Sequence, residues 1–93
     1  MRLLKEEIDI IKSAITRLDP SARIYLFGSR VNDQMRGGDI DLLILSEHLT
    51  QRDARSIRMA IFEKMEEQKI DILIAQNDTD PFVKIALKTG VLL

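Results

Sequence analysis

Ninety-three residues make one domain on length alone, and fourteen basic against fifteen acidic side chains give a net charge of −1, with no global field to draw in nucleic acid or an anionic membrane. The chain has no cysteine and a single histidine, His48, which excludes disulfide and thiolate chemistry and any multi-histidine zinc site. Its longest apolar run is four residues, far below the ~20 that span a bilayer, and Lys5-Glu6-Glu7 cuts short any signal core, so a cytoplasmic protein without a membrane partner is expected.

Residues 3–18 place Leu4, Ile8, Ile11, Ile15 and Leu18 on one stripe at helical spacing. Asp19-Pro20 ends this helix, because the residue before proline avoids the α region. Arg23-Ile24-Tyr25-Leu26-Phe27 reads as a strand that stops at Gly28-Ser29. Residues 28–38 form a polar connector with room for one helical turn, and 39–45 form a second strand with Ile40, Leu42 and Ile44 on one face. Thr50 with Asp53 resembles a capping box, opening a helix that carries Ala54, Ile57, Ile61 and Met65 to about Gln68. Residues 70–75 give a third strand. Asp80-Pro81 starts a last helix carrying Phe82, Ile85 and Ala86, with Gly90 as its C-terminal cap. The order predicts an α/β fold over 1–93: a small mixed three-stranded sheet flanked by helices. The apolar tail Val91-Leu92-Leu93 either packs back on the core or offers an interface, which leaves a homo-oligomer open.

The chemistry gathers around Asp39 and Asp41, two acids inside an apolar run. Residues two apart on a strand share a face, ~6–7 Å apart. Alone, such a pair reads more simply as a turn cap and a solvated strand residue. Asp71 shifts the balance, because it starts the third strand much as Asp39 starts the second. A crossover through 46–69 makes those strands parallel, so their first residues lie side by side and three carboxylates meet at one sheet edge. Mg²⁺ suits such a site, since it binds through few carboxylates plus substrate phosphates, and a pair of ions would flank an in-line displacement. Gly28 permits close backbone approach. Ser29 adds a hydroxyl and an N–H, and a short helix from Arg30 would turn free N–H groups toward an anion. Arg30 and Arg36 read equally well as solvated surface cations, and Gly37-Gly38 as an ordinary turn.

Gly28-Ser29, the nine residues 30–38, Asp39-Ile40-Asp41 and the later Asp71 together resemble the polymerase β-like nucleotidyltransferase superfamily, and in size its minimal branch. The chain departs from that branch in a spacer one residue shorter than its common form, in Gly38 before the first acid, and in Val31-Asn32-Asp33 where Arg-Gly is usual. The resemblance implies Mg²⁺-dependent transfer of a nucleoside monophosphate from ATP or another NTP to a hydroxyl, releasing pyrophosphate. Asp39, Asp41 and Asp71 would serve as catalytic metal ligands, Asp71 also helping to deprotonate the acceptor, and Gly28 and Ser29 would hold phosphates. It further implies an antitoxin paired with an all-helical HEPN ribonuclease toxin, with AMP attached to the toxin or the toxin masked sterically. A polymerase or nucleic-acid end-modifying role fits less well, since Tyr25, Phe27, Phe62 and Phe82 sit in apolar patterns and no basic stripe accompanies them. His48 and Arg36 receive no role.

Overall fold

The computed structural model describes residues 3–28, 40–65 and 69–93. In chain order these form α1 (Lys5–Thr16), β1 (Arg23–Phe27), β2 (Ile40–Leu45), a 3₁₀ turn (Gln51–Asp53) leading into α2 (Ala54–Phe62), β3 (Ile70–Ala75), α3 (Pro81–Thr89) and β4 (Val91–Leu92). The expected α/β fold is present, with one addition: the sheet has four strands in the order β3-β2-β1-β4. The tail, read as packing back on the core or as an interface, supplies the extra strand. β4 runs antiparallel to β1, pairing Leu92 with Tyr25 and Val91 with Leu26, and the Leu93 N–H donates to the Ile24 carbonyl at 2.9 Å. A two-residue strand carries too little alternation to be seen in sequence.

β2 pairs antiparallel with β1 and parallel with β3, as the crossover argument requires. Strand alternation then divides the side chains. Ile24, Leu26, Ile40, Leu42, Ile44, Ile70, Ile72 and Ile74 pack with Ile11, Ile15, Ile57 and Ile61 in the larger core under α1 and α2. Leu43 and Leu45 meet Val83 and Ala86 of α3 in a smaller core on the opposite face, edged by Tyr25, Phe27 and Leu73. A sheet covered on both faces explains why β2 is nearly all apolar.

The helical stripes needed correction at their ends. α1 buries Ile11, Ala14 and Ile15, whereas Leu4 and Leu18 are 67% and 47% exposed. Leu4 precedes the first turn in an extended conformation, and Leu3 takes the buried place instead. The Leu4 N–H donates to Glu7 Oε1 at 2.9 Å, which satisfies one of the helix's orphan donors. In α3 the buried positions are Val83 and Ala86, while Phe82 and Ile85 face outward. The predicted cap holds: Asp80 Oδ1 accepts from the Phe82 N–H at 2.7 Å, with Pro81 at the helix start. Gly90 closes α3 in extended backbone, and a side chain there would run into the Ala86 and Leu26 carbonyls. Ahead of α2 the Thr50 N–H donates to Asp53 Oδ2 at 2.8 Å. The adjacent Gln51 reaches sideways onto β3, its Nε2 donating to the Ile72 carbonyl at 2.6 Å and its Oε1 accepting from the Ile74 N–H at 2.9 Å.

A buried polar knot fastens the far end of the sheet. Asp19 and Ser46 are 3% and 5% exposed. Ser46 Oγ donates to Asp19 Oδ2 at 2.5 Å and accepts from the Leu49 and His48 N–H groups, while the Ser21 N–H donates to Asp19 Oδ1 at 3.0 Å. The Ser46 hydroxyl foremost, then the Ser21 N–H and the nearby His48 charge, hold the Asp19 carboxyl below its ordinary pKa, against an opposing push from burial. A folded-state pKa below the unfolded one contributes stability that is full above the unfolded value of ~4 and is lost as pH falls through the folded value. Urea midpoints measured from pH 6 downward should therefore fall less steeply below pH ~4 for Asp19→Asn than for the parent chain. Parallel curves would show that Asp19 titrates alike in both states.

Candidate active site

Three strand ends build the site. Phe27, the last residue of β1, is the register partner of Asp41, and Asp41 is the register partner of Asp71. Paired residues on neighbouring strands point to the same face, with strands ~4.8 Å apart, so Asp41 and Asp71 stand side by side on the α3 face of the sheet. Ile40, Leu42, Ile70 and Ile72 point the other way into the larger core. Their burial fixes the strand phase, because a one-residue slip would turn the isoleucines outward and the acids inward. Asp41 is half-buried and Asp71 exposed.

Gly28 follows directly on Phe27 with φ +78°, a backbone conformation that side chains disfavour. The space beside it is already taken: a Cβ there would overlap Asp41 Oδ2 and lie 3.1 Å from Asp41 Cγ. The glycine expected to admit a phosphate thus also gives room to the first of the two adjacent carboxylates. Asp39, Ser29 and Arg30, and with them Arg36, Gly37, Gly38 and the turn expected after Gly28, lie outside the described residues.

Two carboxylates in adjacent register positions at the starts of β2 and β3 form a hard-oxygen donor set. That combination fits a hydrated divalent cation shared with phosphate oxygens. It also offers an exposed base, Asp71, next to a more enclosed acid.

Sequence reasoning left Phe27 and Phe82 in the apolar pattern, yet Phe27 is paired with Asp41 and Phe82 packs on Phe27. Their rings pack edge to face, with centroids 5.9 Å apart and planes at 80°. The signal was present in part, since alternation along β1 puts Phe27 on the face that carries Asp41. Two concavities among the described residues lie elsewhere. One of about 380 Å³ runs between α1 and α2, past Asp9, Ser13, Arg17 and Lys64. The other, about 330 Å³, borders the Asp19–Ser46 knot. Neither is lined by Asp41 or Asp71.

Residues 9–93 match the family model described as "Polymerase beta, Nucleotidyltransferase". The chain is also 30% identical over 90 residues to the probable protein adenylyltransferase MntA of Haemophilus influenzae, an alignment that spans 95% of this chain and 79% of that protein.

Proposed function

The chain belongs to the polymerase β nucleotidyltransferase family, and from that premise we propose that it transfers AMP from ATP to a hydroxyl on a partner protein. The observation that carries the reading is the row of Gly28, Asp41 and Asp71, which sets two acids in register beside a side-chain-free backbone. The protein adenylyltransferase named above supports AMP as the group and a protein as the acceptor.

In the proposed reaction the acceptor oxygen forms a bond to the α-phosphorus, the bond from that phosphorus to the bridging oxygen breaks, and pyrophosphate departs. Asp41 and Asp71, with Asp39, would hold Mg²⁺, which supplies charge neutralisation on the phosphates when bound. Asp71 is exposed and can take the hydroxyl proton as the new bond forms, a general-base role. Gly28, having no side chain, would let phosphate oxygens approach its backbone, and Ser29 and Arg30 would extend that cradle.

For the acceptor we propose a HEPN-type ribonuclease toxin, which makes this chain an antitoxin. The test uses the purified pair, Mg²⁺ and ATP labelled in the α- or γ-phosphate. Label should pass to the partner from α-labelled ATP only, with pyrophosphate released. No transfer to a bound partner would overturn the catalytic reading. A second reading, masking by binding alone, draws support from the exposed apolar Ile85 and Leu92. Neutralisation of the partner that survives Asp41→Asn would favour it.

A further inference from the structure

We propose that Phe82, braced by Phe27, is the platform on which the base of the bound nucleotide stacks; this rests on the nucleotidyltransferase reading above. Of the four aromatic side chains, Phe82 alone is exposed, at 54%, while Tyr25, Phe27 and Phe62 are half-buried. Phe82 is one of six large apolar side chains exposed among the described residues, and it is the one aromatic ring of the six. Two features hold it still. The Asp80 carboxylate and Pro81 lock the first turn of α3, with the Phe82 N–H itself bound to Asp80 Oδ1. The edge-to-face contact with Phe27 then fixes the ring's tilt. Such a contact engages one edge or one face, which leaves at least one face of Phe82 to solvent.

Location selects the occupant. Phe27 is the register partner of Asp41 and the neighbour of Gly28, so the ring against which Phe82 packs stands beside the carboxylates that would anchor the phosphates. A nucleotide held by its phosphates at that row extends its sugar and base off the sheet edge. A flat π-face at that place suits a base, and stacking tolerates any base because every base has a π-face. The platform therefore supplies affinity for a nucleoside without base identity.

The chain has no tryptophan, so Phe82→Trp creates a single fluorescent reporter. ATP with Mg²⁺ should quench it, whereas inorganic tripolyphosphate with Mg²⁺ should compete with ATP yet leave the emission unchanged. Phe82→Ala should weaken ATP binding roughly 5- to 150-fold and leave tripolyphosphate binding as it was. Phe82→Leu keeps apolar bulk against Phe27 and should behave like the alanine variant, which separates stacking from packing. Unchanged ATP affinity in both variants, with tripolyphosphate still bound, overturns the platform and leaves the nucleotidyltransferase reading intact. Loss of partner binding at constant ATP affinity also overturns it and assigns the ring to the protein interface. Failure of the parent chain to bind either phosphate ligand overturns the underlying reading instead.

Discussion

Asp41→Asn should lower kcat/KM for AMP transfer about 10³-fold, or ~4 kcal/mol of transition-state stabilisation, while the thermal midpoint moves little. The two expectations have separate causes. The strand around residue 41 is held by Ile40, Leu42 and Ile44, all fully buried, and by pairing to β1 on one side and β3 on the other. Asparagine keeps the volume of aspartate, so that scaffold is preserved. What disappears is one unit of negative charge at the row where a cation must bind, and a carboxylate's charge is worth several kcal/mol when it positions a metal against phosphates. Asp71→Asn should also be severe, because it removes the second carboxylate of the row and the group proposed to take the hydroxyl proton. Transfer assays with α-labelled ATP over a range of Mg²⁺ concentrations decide the matter. If Asp41→Asn keeps activity within tenfold of the parent at saturating Mg²⁺, Asp41 is not a ligand in the reacting complex.

The second large effect is expected at Gly28. Gly28→Ala meets two obstacles at once. Its φ of +78° costs a non-glycine residue about 1–2 kcal/mol, and its new methyl group would occupy the place of Asp41 Oδ2. Either the β1 end shifts or the carboxylate swings away, and activity should fall by about 10²-fold or more for a displacement near 1 Å. A double-mutant cycle with Asp41→Ala separates the terms. Shortening residue 41 removes the collision but not the backbone strain, so Gly28→Ala should cost less stability in the Asp41→Ala background than in the parent. Equal costs in both backgrounds would mean that the two residues do not compete for space. Phosphate affinity, measured with tripolyphosphate, provides a further check on the double role of this glycine.

The strands were the most legible part of the fold. β1 and β3 fall where their aliphatic runs begin and end, because isoleucine and leucine alternating with other residues leave little choice of phase. The parallel pairing of β2 with β3 followed from the length of the 46–69 connection, and with it the adjacency of Asp41 and Asp71. Helix faces were less legible at their ends. Leu4 and Leu18 satisfy the period of α1, but the helix spans only Lys5–Thr16, so residues beyond its turns are free to leave the stripe. Asp19 reads in sequence as a helix stop, yet its carboxylate is also the centre of a buried polar knot, because Ser46, just past the end of β2, comes from twenty-seven residues away. Long-range side-chain bonds of this kind have no local signature. The same holds for Phe82, whose exposure depends on where α3 lands and not on its own period.

Gln51 ties the crossover to the sheet. β3 is an outermost strand, and a bare outermost strand invites pairing with other chains. The amide of Gln51 engages the Ile72 carbonyl and the Ile74 N–H, two backbone groups that a foreign strand would need. Gln51 lies in the turn that opens α2, and α2 belongs to the connection that lets β3 run parallel to β2. The connection that places β3 parallel to β2 thus also carries the side chain that occupies β3's outer edge at residues 72 and 74, so in the folded chain the strand is stoppered by the same segment that seats it.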